Sequence, residues 1–131
     1  MVLLPRAGRR GEQFAEISEF AEALKEYQRA LETQKNSSLA HYRIAEVFFL
    51  QNNYQSAANE FREVLNGDLE PKWTEVWAHI NLGKVFDITD QRERAVNEYR
   101  QAQRTKDDTQ GALEEAGKYI TAKYERPRNT N

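Results

Sequence analysis

Two histidines, His41 and His79, and two neighbouring aspartates, Asp87 and Asp90, are the residues of this chain best suited to chemistry. A pair of imidazoles holds a metal only when carboxylates converge on the same point, and none is spaced to do so. General acid–base catalysis needs carboxyls opposed across a cleft. Asp87 and Asp90 lie instead in a stretch that reads as the solvated end of a helix. There is no glycine-rich phosphate loop, no nucleophile elbow and no His-Glu-x-x-His. The chain contains no cysteine, which removes disulfides, thiol catalysis and zinc–thiolate sites. The expectation is a protein that is not an enzyme and uses no cofactor or metal. His41 and His79 are then structural residues.

The charged residues lead to the same class. Lys plus Arg is 19 and Asp plus Glu is 21, a balance with no long-range attraction for nucleic acid. Arginines cluster at Arg6, Arg9 and Arg10, and again at Arg92, Arg94, Arg100 and Arg104 with Lys106. Glu12, Glu93, Glu98 and Asp107 interleave with them, as on a solvated helical face. No nucleic-acid partner is expected. No apolar run approaches the ~18 residues of a membrane span. The opening Met1–Arg6 is too poor in apolar residues for a signal peptide. Membrane insertion is not expected, and the compartment stays open, with a cytoplasmic one favoured.

The elements that position these residues read as helices throughout. Phe20, Ala23, Leu24, Tyr27, Ala30 and Leu31 form one apolar stripe, and Tyr54, Ala57, Ala58, Phe61, Val64 and Leu65 another. No alternating Val/Ile/Thr run is bounded by turn residues. The spacing predicts seven helices, at about 5–17, 20–34, 38–51, 54–66, 71–89, 92–106 and 110–124. Asn36-Ser37-Ser38 and Asn66-Gly67-Asp68 serve as stop-and-start signals. Pro5 and Pro71 suit first turns. The last helix, with Leu113, Ala116, Ile120 and Tyr124 on one face and Glu114, Glu115, Lys118 and Lys123 on the other, suits a cap. The polar segment 125–131 is expected to fray.

Self-comparison shows internal repetition. The shift that places Gly11 on Ala45 also places Phe14 on Phe48, Ala23 on Ala57, Tyr27 on Phe61 and Leu31 on Leu65. A second, slightly longer shift places Ile44 on Leu82, Ala45 on Gly83, Phe48 on Phe86, Ala57 on Ala95 and Phe61 on Tyr99. Small falls on small and large on large. The third copy reads His79-x-x-Leu82-Gly83-x-x-Phe86, then Ala95-x-x-x-Tyr99. The second reads His41-x-x-Ile44-Ala45-x-x-Phe48, then Ala57-x-x-x-Phe61. The first, Ala7-x-x-Arg10-Gly11-x-x-Phe14 then Ala23-x-x-x-Tyr27, is degraded. The pattern resembles the tetratricopeptide repeat family over roughly residues 4–109, although Lys35, Leu69 and Asp107 stand where a closing proline is frequent.

The resemblance implies an all-α superhelix, or solenoid, forming one domain over 1–131. It would hold three helix–turn–helix repeats at about 4–37, 38–71 and 76–109, a capping helix at 110–124 and a polar tail. It also implies that the first helix of each pair lines a concave groove for a protein or peptide ligand. Carried over, the groove positions are Glu12 and Glu16 in the first copy. In the second they are Leu39, Tyr42, Arg43, Glu46, Phe49 and Leu50, and in the third Trp77, Ile80, Asn81, Lys84 and Ile88. Unpaired apolar surface marks interaction sites, and Trp, Tyr and Arg anchor interfaces. Some members clasp a chaperone's C-terminal carboxylate, but the matching positions here are Gly8, Glu12, Arg43, Trp77 and Asn81, which lack the cations. A mixed apolar and polar peptide or a partner helix is the better expectation.

A short insertion, Glu70 to Trp73, precedes the third copy. If its first helix starts early, Trp73, Trp77, Asn81 and Lys84 fall on one stripe. That stripe is either an aromatic wall for a ligand, or Trp73 folds over the preceding helix pair to seal a gap. Two further possibilities stay open. The chain is a self-association module forming a homo-dimer, or an accessory repeat segment of a larger protein of the kind found in bacteria.

Overall fold

A computed structural model describes the backbone of residues 10–127 and the side chains of residues 18–127. The chain is all-helical, with α1 at Arg10–Thr33, α2 at Ser38–Leu50, α3 at Tyr54–Leu65, α4 at Trp73–Ile88, α5 at Arg92–Arg104 and α6 at Ala112–Thr121. A single 3-10 turn, Thr109–Gly111, leads into α6. Among the described residues there is no strand, and no helix is long and apolar enough to cross a membrane.

Each helix packs on its sequence neighbour. In addition α2 touches α4, and α4 touches α6. The pairs α2/α3 and α4/α5 repeat one design. Both first helices end in a residue with left-handed backbone, Asn52 at φ 62° and Asp90 at φ 59°. The N–H after it reaches back over the last turn, Asn53 to the Phe48 carbonyl at 2.8 Å and Gln91 to the Phe86 carbonyl at 2.7 Å. This closure satisfies helix-end carbonyls, and Asn and Asp are the side-chain-bearing residues that best tolerate such a φ. At α2 the start is also specified. The Ser37 hydroxyl caps the Ala40 N–H at 3.1 Å. Buried Ser38 donates to the Val64 carbonyl at 2.7 Å and accepts from the Leu69 N–H at 2.9 Å, which ties α2 to the loop beyond α3.

The core follows the small-and-large pairing of the repeats. Ala45, Ala57, Ala78, Ala95, Ala112 and Ala116 have no exposed surface, and Phe61 and Tyr99 fill the space between helices. A methyl group added at Gly83 would collide with the Tyr99 ring, so glycine there permits the closest approach of α4 and α5. Helix α4 is apolar around its circumference and buries Val76, Ala78, Ile80, Leu82, Val85 and Phe86. Such a helix must be covered on all sides, here by α2, α3, α5 and α6.

Three boundaries differ from the sequence-based expectation. The helices expected at 5–17 and 20–34 are one continuous helix across residues 18 and 19. The shift that relates the first two copies sets Ser18 where Asn52 stands. The first copy thus lacks a residue suited to left-handed backbone, and the helix runs on. Pro71 lies before α4 rather than in its first turn, its carbonyl accepting from the Thr74 N–H and hydroxyl. The last helix stops at Thr121, and residues 122–127 continue without helix. Pro5, Ala7 and Gly8, like residues 128–131, lie outside the described residues, as do the side chains of Glu12 and Glu16.

Candidate functional site

Helices α2, α4 and α6 face a common cavity of about 280 Å³. Its apolar lining comes from Tyr42, Phe49, Leu50, Phe61 and Trp77, and its polar lining from Glu46, Asn81, Lys84 and Glu115. Leu50 stands at its mouth, 51% exposed, the one exposed large hydrophobic side chain among the described residues.

Each polar group is held by a neighbour. Arg43 donates to Glu46 at 3.0 Å. Burial pushes the Glu46 carboxyl above its ordinary value, and the Arg43 hydrogen bond opposes that shift. The Asn81 amide donates to the Tyr42 hydroxyl at 3.0 Å, linking α4 to α2. Lys84 reaches Glu115 of α6 at 2.7 Å and lies 5.1 Å from the ring centre of Tyr124. The Trp77 indole N–H donates to the Thr109 carbonyl at 3.0 Å, so the ring is fixed from behind while its face lines the cavity. The lining offers aromatic rings together with amide, ammonium and carboxylate groups. It suits recognition of a segment with apolar and polar side chains on the same face.

The positions expected in the groove are only partly brought together. Tyr42, Glu46, Phe49, Leu50, Trp77, Asn81 and Lys84 line the cavity. Ile80 does not, since it has no exposed surface. It belongs to the central hydrophobic cluster, so it is core and not groove. Leu39 and Ile88 are half-buried and line no part of the cavity. Trp73 is half-buried too. Its ring meets Tyr42 edge-on at 5.1 Å and lies 5.5 Å from the Arg43 guanidinium, so it packs over the preceding pair. Glu115, expected on the solvent face of a cap, lines the cavity instead. The shift that sets Gly11 on Ala45 also sets Asn81 on Glu115, and that signal would have found it.

The groups best suited to chemistry have structural partners. His41 Nδ1 lies 2.7 Å from Glu60, and His79 Nδ1 lies 2.8 Å from Glu98. The two pairs occupy matching places and bridge the helices of each pair. Asp87, expected at a solvated helix end, has no exposed surface. Both its oxygens accept from Arg92, at 3.0 and 3.1 Å, and one also accepts from the Tyr99 hydroxyl at 2.7 Å and the Tyr124 N–H at 2.9 Å. It is a structural node joining α4, α5 and the segment after α6. Among the described residues no three His, Asp or Glu side chains converge as metal ligands.

The chain matches no protein-family model and no curated protein.

Proposed function

We propose that this chain is a tetratricopeptide-like repeat array that holds a segment of a partner protein in the cavity between α2, α4 and α6. The observation that carries this reading is that cavity, where Phe49, Leu50 and Trp77 meet Asn81, Lys84 and Glu115 on first helices of successive pairs. Two features support the repeat assignment. The helix-ending turns at Asn52 and Asp90 use the same bonds. The His–Glu pairs also recur in register, since the shift that sets His41 on His79 sets Glu60 on Glu98. α6 then takes the place of the first helix of a further pair. The array has no catalytic constellation in this reading and works as a scaffold.

Leu50 is the position for a test, because its exposure lets a charge replace it without opening the core. Peptides selected from a display library on the intact chain are expected to bind Leu50→Asp about tenfold more weakly or worse, a loss of ~1.4 kcal/mol or more. If the folded variant retains the same peptides at the same affinity, the cavity is not the binding site.

Self-association is a second reading, favoured by α1. Its stripe of Ala23, Leu24, Tyr27 and Leu31 is only half-buried, because α2 is its one packed neighbour among the described residues. A second copy would cover that flank. Light scattering that gives a monomer mass across a wide concentration range removes this reading.

A further inference from the structure

Tyr54 packs edge-on against Phe49, 5.7 Å between ring centres. Phe49 lines the groove described above, and Tyr54 lines a second cavity of about 260 Å³ on its other side. The charged residues of this second lining are Arg62 and Arg94; no carboxylate is among them. A third guanidinium, that of Arg126, approaches from the segment after α6 and donates to the Tyr54 hydroxyl at 3.3 Å.

Among the described residues none of these three arginines forms an ion pair, although the chain carries 21 acidic residues. Arg92, two positions before Arg94, shows the contrast, with its guanidinium committed to Asp87 and to the Ile120 carbonyl. Arg94 makes one hydrogen bond, to Gln91 at 2.6 Å, and Arg62 one, to Asn59 at 3.4 Å. A guanidinium has five N–H donors, so most of theirs remain unused. Both cations are nevertheless held in place, 4.2 and 5.7 Å from the centre of the Phe86 ring. Cation–π contact of this kind fixes a guanidinium without consuming its donors.

Like charges gathered on one ring repel one another unless an anion joins them. The surrounding groups suit such an anion. Gln55, Gln91, Thr89 and Tyr54 add side-chain hydrogen-bonding groups around the rim. Tyr54 and Gln55 open α3 and Gln91 precedes α5, and neither helix start is capped by a side chain. The positive ends of these two helix dipoles add to the potential of the arginines. Three exposed acidic residues adjoin lining residues in sequence, Glu63, Asp90 and Glu93; all are outside the lining, and Asp90 is paired with Lys123 at 3.0 Å.

We propose that this cavity binds a phosphate monoester, gripped by Arg62 and Arg94, with Arg126 at its edge. A monoester carries close to two negative charges at neutral pH and three acceptor oxygens, which matches two or three guanidiniums with free donors better than a single carboxylate does. A nucleic-acid backbone would need a continuing basic stripe, and the lining holds two arginines, Arg62 and Arg94. The site uses residues separate from the groove and does not depend on what the groove holds.

The test is a titration followed by 1H–15N NMR at constant ionic strength. The probes are orthophosphate, a short phosphotyrosine peptide and its unphosphorylated form. Saturable shifts are expected at the side-chain amides of Gln55 and Gln91 and at the backbone of Thr89 and Arg94. Arg62→Gln and Arg94→Gln are each expected to weaken binding about tenfold or more. Arg104→Gln, far along the same helix, is expected to leave it unchanged. Tighter binding of the phosphopeptide than of orthophosphate assigns the site to a phosphorylated side chain, and equal binding to a small free phosphate compound. Shifts that never saturate would overturn the proposal. So would unchanged binding in a folded Arg94→Gln variant, or equal binding of the unphosphorylated peptide.

Discussion

Phe49, Tyr54 and Phe61 of the second copy correspond to Asp87, Arg92 and Tyr99 of the third. An aromatic cluster in one copy is thus, in the next, a hydrogen-bonded ion pair between buried Asp87 and half-buried Arg92. The exchange is consistent as a set, since the hydroxyl that distinguishes Tyr99 from Phe61 is spent on Asp87. Sequence periodicity could not see this, because it counts Asp as a surface residue and weighs each position alone. Removing Asp87 costs about 1–3 kcal/mol, because it strands the buried Tyr99 hydroxyl, while Arg92, 35% exposed, keeps contact with solvent. Asp87→Ala is therefore expected to lose about that much stability in urea unfolding, with Arg92, Tyr99 and the Tyr124 N–H deprived of an acceptor. The triple change Asp87→Phe, Arg92→Tyr and Tyr99→Phe imports the second copy's solution and should recover most of the loss. A triple variant no more stable than Asp87→Ala would show that the two clusters are not interchangeable.

Helix ends and helix approach are decided by single residues. The turns after α2 and α4 are legible because Asn52 and Asp90 stand where left-handed backbone is needed. The turn expected near Ser18 does not form, for want of such a residue; there the repeat alignment pointed one way and the local signal the other, and the local signal decided. The close approach of α4 and α5 at Gly83 is equally legible. The matched small positions differ by a methyl group, Ala45 in one copy and Gly83 in the other, and only Gly83 faces a tyrosine ring at a distance a methyl cannot share. Gly83→Ala should accordingly cost about 1–3 kcal/mol through overpacking, despite the gain in helix propensity of about 1 kcal/mol. Thermal unfolding monitored by circular dichroism measures the net change, and a variant as stable as the parent would mean that α5 shifts freely to make room.

At the scale of the whole molecule, burial of tyrosines sets an alkaline limit. Tyr42 and Tyr99 are fully buried, and burial raises both phenols above the ordinary value of 10.0, with Asp87 adding to the shift at Tyr99. Tyr27 and Tyr124 are raised in the same direction, again mainly by burial. In the unfolded chain these phenols ionise near pH 10, while the folded chain keeps them neutral. Their contribution is therefore complete below pH 10 and is lost as pH rises toward the folded values, by about 1.4 kcal/mol per pH unit for each fully shielded ring. Urea midpoints between pH 8 and pH 11 should fall, and Tyr99→Phe should flatten that fall. A slope unaffected by Tyr99→Phe would assign the loss to other groups.

The one-dimensional pattern determined what depends on local physics: helix as the only regular element, the ends marked by Asn52 and Asp90, and the small residues that let helices nest. The positions that the resemblance to tetratricopeptide repeats implies for a groove include most of the cavity lining, and residues one turn apart on a helix share that face. Only the tertiary structure decided which neighbour covers each face. It turned Ile80 into core, set Trp73 on Tyr42, drew Glu115 into the cavity and buried Asp87. It also brought Arg62, Arg94 and Arg126 together from three distant segments. Periodicity fixes the direction of a side chain relative to its own helix, but what lies opposite depends on how separate helices pack, and no local rule encodes that.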